Sequence, residues 1–292
     1  MEANNNVKVK KRSQWGDVWH RLLKNRMAIL GLIIVAGLLL TAAFADLIAD
    51  YETEAIQQNV KDRLQGPSAE HWLGTDEFGR DMFARLVHGS RISLAVGFAA
   101  TTIALVFGMT LGSMAGFYGG NIDMLIMRVL DVFMAIPQIL LAITLVAALG
   151  TSIPNLMIAL SISSIPSFSR TLRAQVLTVK DQEFVEAARA IGAKDAHIIT
   201  THIIPNCLSP VIVQSTLRVA TCILSTASLS FIGLGVKPPS PEWGSMLSSG
   251  RMYLRDAQHI TLFPGLAIMI TILAFNLLGD GLRDALDPKL KR

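Results

Sequence analysis

Six stretches of the chain, at 28–48, 92–117, 127–149, 153–171, 210–232 and 260–280, are each long and apolar enough to cross a hydrocarbon layer. About 20 such residues in a helix span the roughly 30 Å of a bilayer core, and inside lipid every backbone amide must be bonded within the protein. The fold class predicted is therefore all-α and polytopic, with six transmembrane helices. Composition agrees. Only 16% of the 292 residues are Asp, Glu, Lys or Arg, where a soluble domain carries about 25%, so a water-exposed globule of this length would be left with large bare apolar patches. A net charge of +4 is too small to indicate a nucleic-acid surface. Cys207 and Cys222 both lie in or beside an apolar stretch, and two such cysteines suggest neither a disulfide framework nor a thiolate metal site.

The distribution of charge says more than its sum. Lys8, Lys10, Lys11, Arg12, Arg21, Lys24 and Arg26 precede the first span, and the same side would hold Arg128, the five bases of 170–195, and Arg283, Lys289, Lys291 and Arg292, which makes 17 of the 26 Lys and Arg. Eight fall on the other side and Arg218 lies inside a span. By the positive-inside rule both termini are expected in the cytoplasm. A cleaved signal peptide at 1–45 fits less well, because its apolar stretch is long for that role and its removal would not improve the charge bias. Residues 1–27 read as a polar, flexible tail followed by an interfacial helix, with Trp15, Trp19, Leu22 and Leu23 against lipid or the bundle, and 28–292 as the transmembrane domain.

Within the spans, Gly108, Gly112 and Gly116 form two successive GxxxG steps, which favour close helix crossing and say nothing of cargo. Pro137 and Pro264 are positioned to kink their helices. The fourth span is the most polar, through Ser161, Ser163, Ser164, Ser167 and Ser169 around Pro166. Arg218 is the residue least at home in lipid, and it must snorkel, find an internal partner or line an aqueous path. Asp131 lies just inside the third span, within reach of Arg128 or a base on another helix.

Two outer segments, 49–91 and 233–259, are too long for simple turns. GTDEFGRD at 74–81 predicts a turn leading into an amphipathic helix with Phe78, Met82, Phe83 and Leu86, and PPSPEWG marks the second segment. Asp76, Arg80, Asp81, Glu242 and Trp243 are candidates for a structural lid or for contacts with a soluble partner. On the inner side, 182–206 has the form helix, glycine bend, helix. Phe184, Ala187, Ala188 and Ile191 are spaced to share one face, Gly192 is placed as the cap, and a second short helix runs to Pro205. This is either an ordinary connector or a docking element. The six His show no metal-ligand spacing, no catalytic nucleophile and base converge, and no GxxxxGK[ST] loop occurs. No catalytic or metal site is therefore assigned.

Glu186, Ala187, Ala188 and Gly192, with Ile204, Pro205 and Asn206 downstream, resemble the EAA loop of importer-type ABC permeases. GTDEFGRD at 74–81, LSFIGLGVKPPSPEWGSML at 229–247 and FNLLGDGLRDALDP at 275–288 are similar to the second permease subunit of the dipeptide, oligopeptide, glutathione and nickel branch. The resemblance implies a type I importer permease in a bacterial inner membrane, paired with a homologous permease, two cytoplasmic ATP-binding subunits and an extracytoplasmic solute-binding protein. In such a complex the peptide solute crosses between the permeases, ATP and Mg are used by the partner subunits and this chain binds no cofactor. Glu186, Ala187, Ala188, Gly192 and Pro205 would then couple the ATPase to the pore, with Arg218 a candidate for the path. A nickel or other small-solute permease, a non-transporting membrane scaffold and an ion-gradient transporter are the alternatives, the last weakened by few intramembrane acids and no recognisable paired repeats.

Overall fold

The computed structural model describes residues 14–286, so the bases of 1–13 and 287–292 and the tail expected there lie outside the described residues. Every regular element is helical: α1 (Gln14–Leu22), α2 (Arg26–Ala43), the single turn α3 (Ala45–Ile48), α4 (Met82–Tyr118), α5 (Gly120–Met134), α6 (Gln138–Leu149), α7 (Ile153–Val179), α8 (Glu183–Ala190), the short α9 (Asp195–His197), α10 (Ile204–Phe231), α11 (Trp243–Gly250) and α12 (His259–Leu286). The amphipathic α1 turns Leu22 into the bundle and leaves Trp19 and Leu23 exposed. The Trp15 side chain lies outside what the structure describes.

Among the described residues four helices are long and apolar enough to cross a membrane, Arg26–Ala43, Met82–Tyr118, Asp195–Phe231 and His259–Leu286. A fifth span results only if α5 and α6 are taken together, and they meet at 85°. The expected continuous span 127–149 is thus two helices. Pro137 lacks an amide hydrogen and restricts the residue before it, and it stands as the N-cap of α6 with the chain turned at 135–137. The serine-rich α7 has 27 residues, enough to cross, but it falls short in apolarity. Six clear spans are therefore not displayed.

Two other boundaries differ from the sequence reading. The amphipathic segment after the 74–81 turn is not a separate helix. Asp81 caps α4 through the Ala84 amide at 2.9 Å, and from Met82 the helix runs 37 residues without a break, while Phe78 stays in the turn. At 1.5 Å per residue, α4 is about 55 Å long and connects the two ends of the molecule. Pro205 likewise ends nothing. A widened turn at Ile198–Ile203 leads directly into α10, and the loosened hydrogen bonding there accommodates a proline that would clash in a regular helix interior.

The bundle is organised around α4 and α7. A Cβ at Gly112 would lie 2.5 Å from the Ser169 carbonyl oxygen, one at Gly116 2.8 Å from the Val176 Cβ, and one at Gly108 would overlap Phe168. Glycine at these three positions lets two backbones touch along three turns, where any side chain would force the helices apart. On the other side of α4, α10 packs through Val219 and Ile223, and α12 closes against α10 and α2. Gly31 of α2 stands so close to α12 that a Cβ would meet the Ala274 oxygen at 2.7 Å.

Candidate functional site

Three groups of polar residues stand out, one at each end of α4 and one between. At the Met82 end, the segment 49–81 folds over the helix tips around Asp76. Its Oδ1 accepts from the Phe78 and Arg80 amides at 2.8 and 3.0 Å, and its Oδ2 from Arg80 Nε at 2.6 Å. Arg85 Nε approaches the same oxygen at 3.3 Å, while Arg85 Nη1 donates to the Ala55 and Pro239 carbonyls. Asp76 and Arg85 together thus tie the 49–62 strip, the 74–81 turn, α4 and the 233–242 loop to one another. The second long connecting segment, 233–259, plugs in beside it. Glu242 accepts from the Gly244 and Ser245 amides at 2.8 Å as the cap of α11, and Trp243 Nε1 donates to the Leu86 carbonyl at 3.0 Å. Asp76, Arg80, Glu242 and Trp243 are all buried, and Asp81 is largely covered by His71 at 2.9 Å. Asp76, Arg80, Glu242 and Trp243 thus face the interior of the lid, while Asp81 stands on the wall of the cavity beside it.

A cavity of about 650 Å³ opens beside this lid, with Glu54, Asp62, Glu70 and His71 on its walls and Trp72 and Phe83 packed together at its side. At its edge, the Thr53 amide and hydroxyl donate to Asp50 and hold that carboxyl below the usual carboxylate range.

At the opposite end, α8 lies on the tips of α4 and α7. Val185 and Ala188 are buried with Phe117, Leu172, Val176, Ile198 and Ile203, and the Arg189 guanidinium sits 5.0 Å from the centre of the Phe117 ring. The face expected as one unit is divided. Ala188 points inward with Val185, whereas Phe184, Ala187 and Ile191 point outward, Ile191 being 85% exposed. The β-branched Val185 is the better anchor for a cluster of Ile and Val, and with it inside, a 100° step per residue carries the 184, 187, 191 stripe to the surface. Glu186 is exposed beside that stripe. Gly192 closes the helix at φ +80° with its amide on the Arg189 carbonyl at 2.9 Å. Asp123 receives a bidentate pair from Arg173, and Asp131 pairs with Arg170 of α7, leaving Arg128 exposed.

Between the two ends, near the middle of α10, Arg218 Nη1 donates to Gln138 Oε1 at 3.1 Å, and Gln138 Nε2 donates to Ser164 Oγ at 3.2 Å. One turn away, Gln214 Nε2 donates to Ser167 Oγ at 2.8 Å. Gln138, Gln214, Ser164 and Ser167 were not singled out from sequence as site residues. Gln214 stands four residues before Arg218 on the same helical face, and Gln138 directly follows Pro137 in an apolar run, which are the signals that point to them.

Among the described residues no group of His, Cys, Asp and Glu is arranged to hold a metal ion. The comparisons with known proteins agree on what such a bundle is. Residues 108–292 match the family described as "Binding-protein-dependent transport system inner membrane component", and 13–67 match the "N-terminal TM domain of oligopeptide transport permease C". The chain belongs to this permease family. It is 52% identical over 279 residues to the dipeptide transport system permease protein DppC of Alkalihalophilus pseudofirmus, covering 96% of this chain and 91% of the relative. It is 49% identical over 281 residues to the glutathione transport system permease protein GsiD of an Escherichia coli strain, covering 96% and 92%. Among solved structures, the MetNI methionine ABC transporter matches with a TM-score of 0.56 at 19% identity, over 70% of this chain and 98% of that one. An amino acid ABC transporter matches at 0.52 and 16%, over 69% and 94%. Those two likenesses establish the fold, an all-α polytopic permease of the ABC-importer kind. The permease is an inner-membrane, multi-pass subunit and is not itself catalytic.

Proposed function

We propose that this permease forms half of the translocation pore of an ATP-binding-cassette importer for short peptides or glutathione. The solute class follows the names of the relatives, and the coupling role follows one observation: α8 is anchored by Val185 and Ala188 while its Phe184, Ala187 and Ile191 stay exposed, with the His202 ring beside Phe184 at 6.5 Å between centroids. An apolar stripe on a helix whose other face carries Glu183, Glu186 and Arg189 is suited to a groove on a cytoplasmic ATP-binding subunit. In this reading α7 and the broken α5–α6 pair complete six spans, both termini are cytoplasmic, and the partners are a homologous permease, two ATP-binding subunits and an extracytoplasmic solute-binding protein. Glu186, Ala187, Ala188 and Gly192 transmit the motion, and Pro205 lies where the loop re-enters the bundle. Gly108, Gly112 and Gly116 keep α4 and α7 a rigid pair that carries it.

The physics is a two-state shift. ATP binding closes the ATPase dimer, the groove moves, and the permease population follows because α8 makes different contacts with the two ATPase states. The Val185 and Ala188 anchor transfers displacement to the tips of α4 and α7. Co-purification of this chain with two ATP-binding subunits and a second permease, followed by ATP-dependent uptake of a labelled dipeptide into proteoliposomes, tests the assignment. Stable assembly without uptake in the presence of the binding protein would leave a scaffold in place of a pore.

A further inference from the structure

Arg218 is a cation in the middle of a membrane helix whose recorded protein partner is neutral. Of its five guanidinium N–H donors, one reaches the Gln138 amide oxygen. Among the described residues no carboxylate oxygen lies within 4.0 Å of it, while Asp123 and Asp131, the acids of α5, are held by Arg173 and Arg170. An unpaired arginine at such a depth is costly unless it faces water or meets an anion. The surroundings indicate an open side. Every residue from Asp131 to Leu140, across the 85° break between α5 and α6, is exposed, and Arg218 itself is only half-buried. A second observation lies one turn along α10: the Oε1 of Gln214 is buried and has no hydrogen-bond partner, although its Nε2 is held by Ser167. Buried carbonyl oxygens in native proteins are rarely left so. Unused donors and an unused acceptor therefore stand four residues apart on one helix face, about 6 Å along the axis.

We propose that Arg218 and Gln214, with Gln138 holding the arginine in place, form a mid-membrane binding site for the carboxylate end of the solute, Arg218 taking the carboxylate and Gln214 Oε1 accepting an adjacent N–H. The site rests on the pore reading above and assigns particular side chains of this chain to such a solute, through its free carboxylate and an amide or amine hydrogen. Gln138 is a positioning residue, bridging Arg218 to Ser164 across the broken span. A break in a membrane helix next to a cation is the arrangement that lets fixed dipoles and charge meet an anionic group without lipid contact.

The test uses the assembled complex of both permeases and both ATP-binding subunits in nanodiscs, without the solute-binding protein so that its selectivity does not intervene. Equilibrium binding is measured for labelled L-alanyl-L-alanine and for its C-terminal amide. The wild type is expected to favour the free carboxylate by about tenfold or more, the scale of one charge-assisted hydrogen bond. Arg218→Met is expected to abolish that preference, Arg218→Lys to keep part of it, and Gln214→Leu to weaken both ligands together. Arg218→Gln, which keeps donors and drops the charge, replaces the methionine variant if that one does not assemble. A wild type without binding or without preference, or an Arg218→Met or Arg218→Gln complex that retains the preference, overturns the site. A separate uptake measurement with binding protein and ATP distinguishes the two layers: uptake with an unchanged preference in the charge-free variants removes the site alone, and an assembled wild type that takes up nothing removes the pore reading as well.

Discussion

The two ends of α4 solve opposite problems. At the Met82 end, segments distant in sequence are locked by charge: Asp76, Arg80 and Arg85 are buried together and bonded in full view of one another, and Glu242 and Trp243 are sealed beside them. At the Tyr118 end, α8 is attached by two small apolar side chains and a cation over a ring, and it leaves Phe184, Ala187 and Ile191 exposed. A finished lid resists change. A helix with so much of its surface exposed contributes less to the stability of the isolated chain.

That contrast fixes an order of effects. The largest is expected for Asp76→Ala, which leaves two buried guanidinium groups without their anion and should lower stability by about 3–5 kcal/mol. Thermal unfolding of the purified complex reads it, and a melting temperature equal to wild type would erase the distinction between the ends. Next is Gly112→Val, where the new side chain meets the Ser169 carbonyl; overpacking of this kind costs about 1–3 kcal/mol and should also separate α4 from α7, which a pair of cysteine cross-links across that seam would detect. Gly192→Ala tests the left-handed backbone position of the 182–206 loop. At φ +80° a Cβ is strained though nothing crowds it, so about 1 kcal/mol is expected, with normal assembly by size-exclusion chromatography. Smallest in stability is Ile191→Ser, a change at an exposed position expected to stay within about 0.5 kcal/mol. Solute-stimulated ATPase activity of the complex should nevertheless fall to its basal level. Stimulation at the wild-type level would show that the outward stripe is not the coupling surface.

Much of the membrane architecture was legible locally. Long apolar runs, the 108, 112, 116 spacing and the glycine after α8 are patterns among neighbours in the chain, and each needs only helix geometry to interpret. The division of the 182–206 loop was harder. Phe184, Ala187, Ala188 and Ile191 do lie near one another around the helix, but which edge of that arc is covered depends on Val185 finding the Ile198, Ile203 and Phe117 cluster. The same holds for Pro137: a proline announces a break, and only packing turns the break through 85°.

By itself, the sequence determined that this chain lives in a membrane, that its helices approach closely at glycine, and that an arginine would have to be accommodated within a span. These follow from length, side-chain size and charge, which a residue carries wherever it goes. The tertiary structure decided the partners: Asp76 with Arg85, Trp243 with Leu86, Arg218 with Gln138 and, beside it, an acceptor on Gln214 left open. Trp243 and Leu86 are 157 residues apart and Arg218 and Gln138 are 80 apart. Such pairings depend on how helices settle against one another, because a hydrogen bond requires distance and direction that no spacing along the chain prescribes.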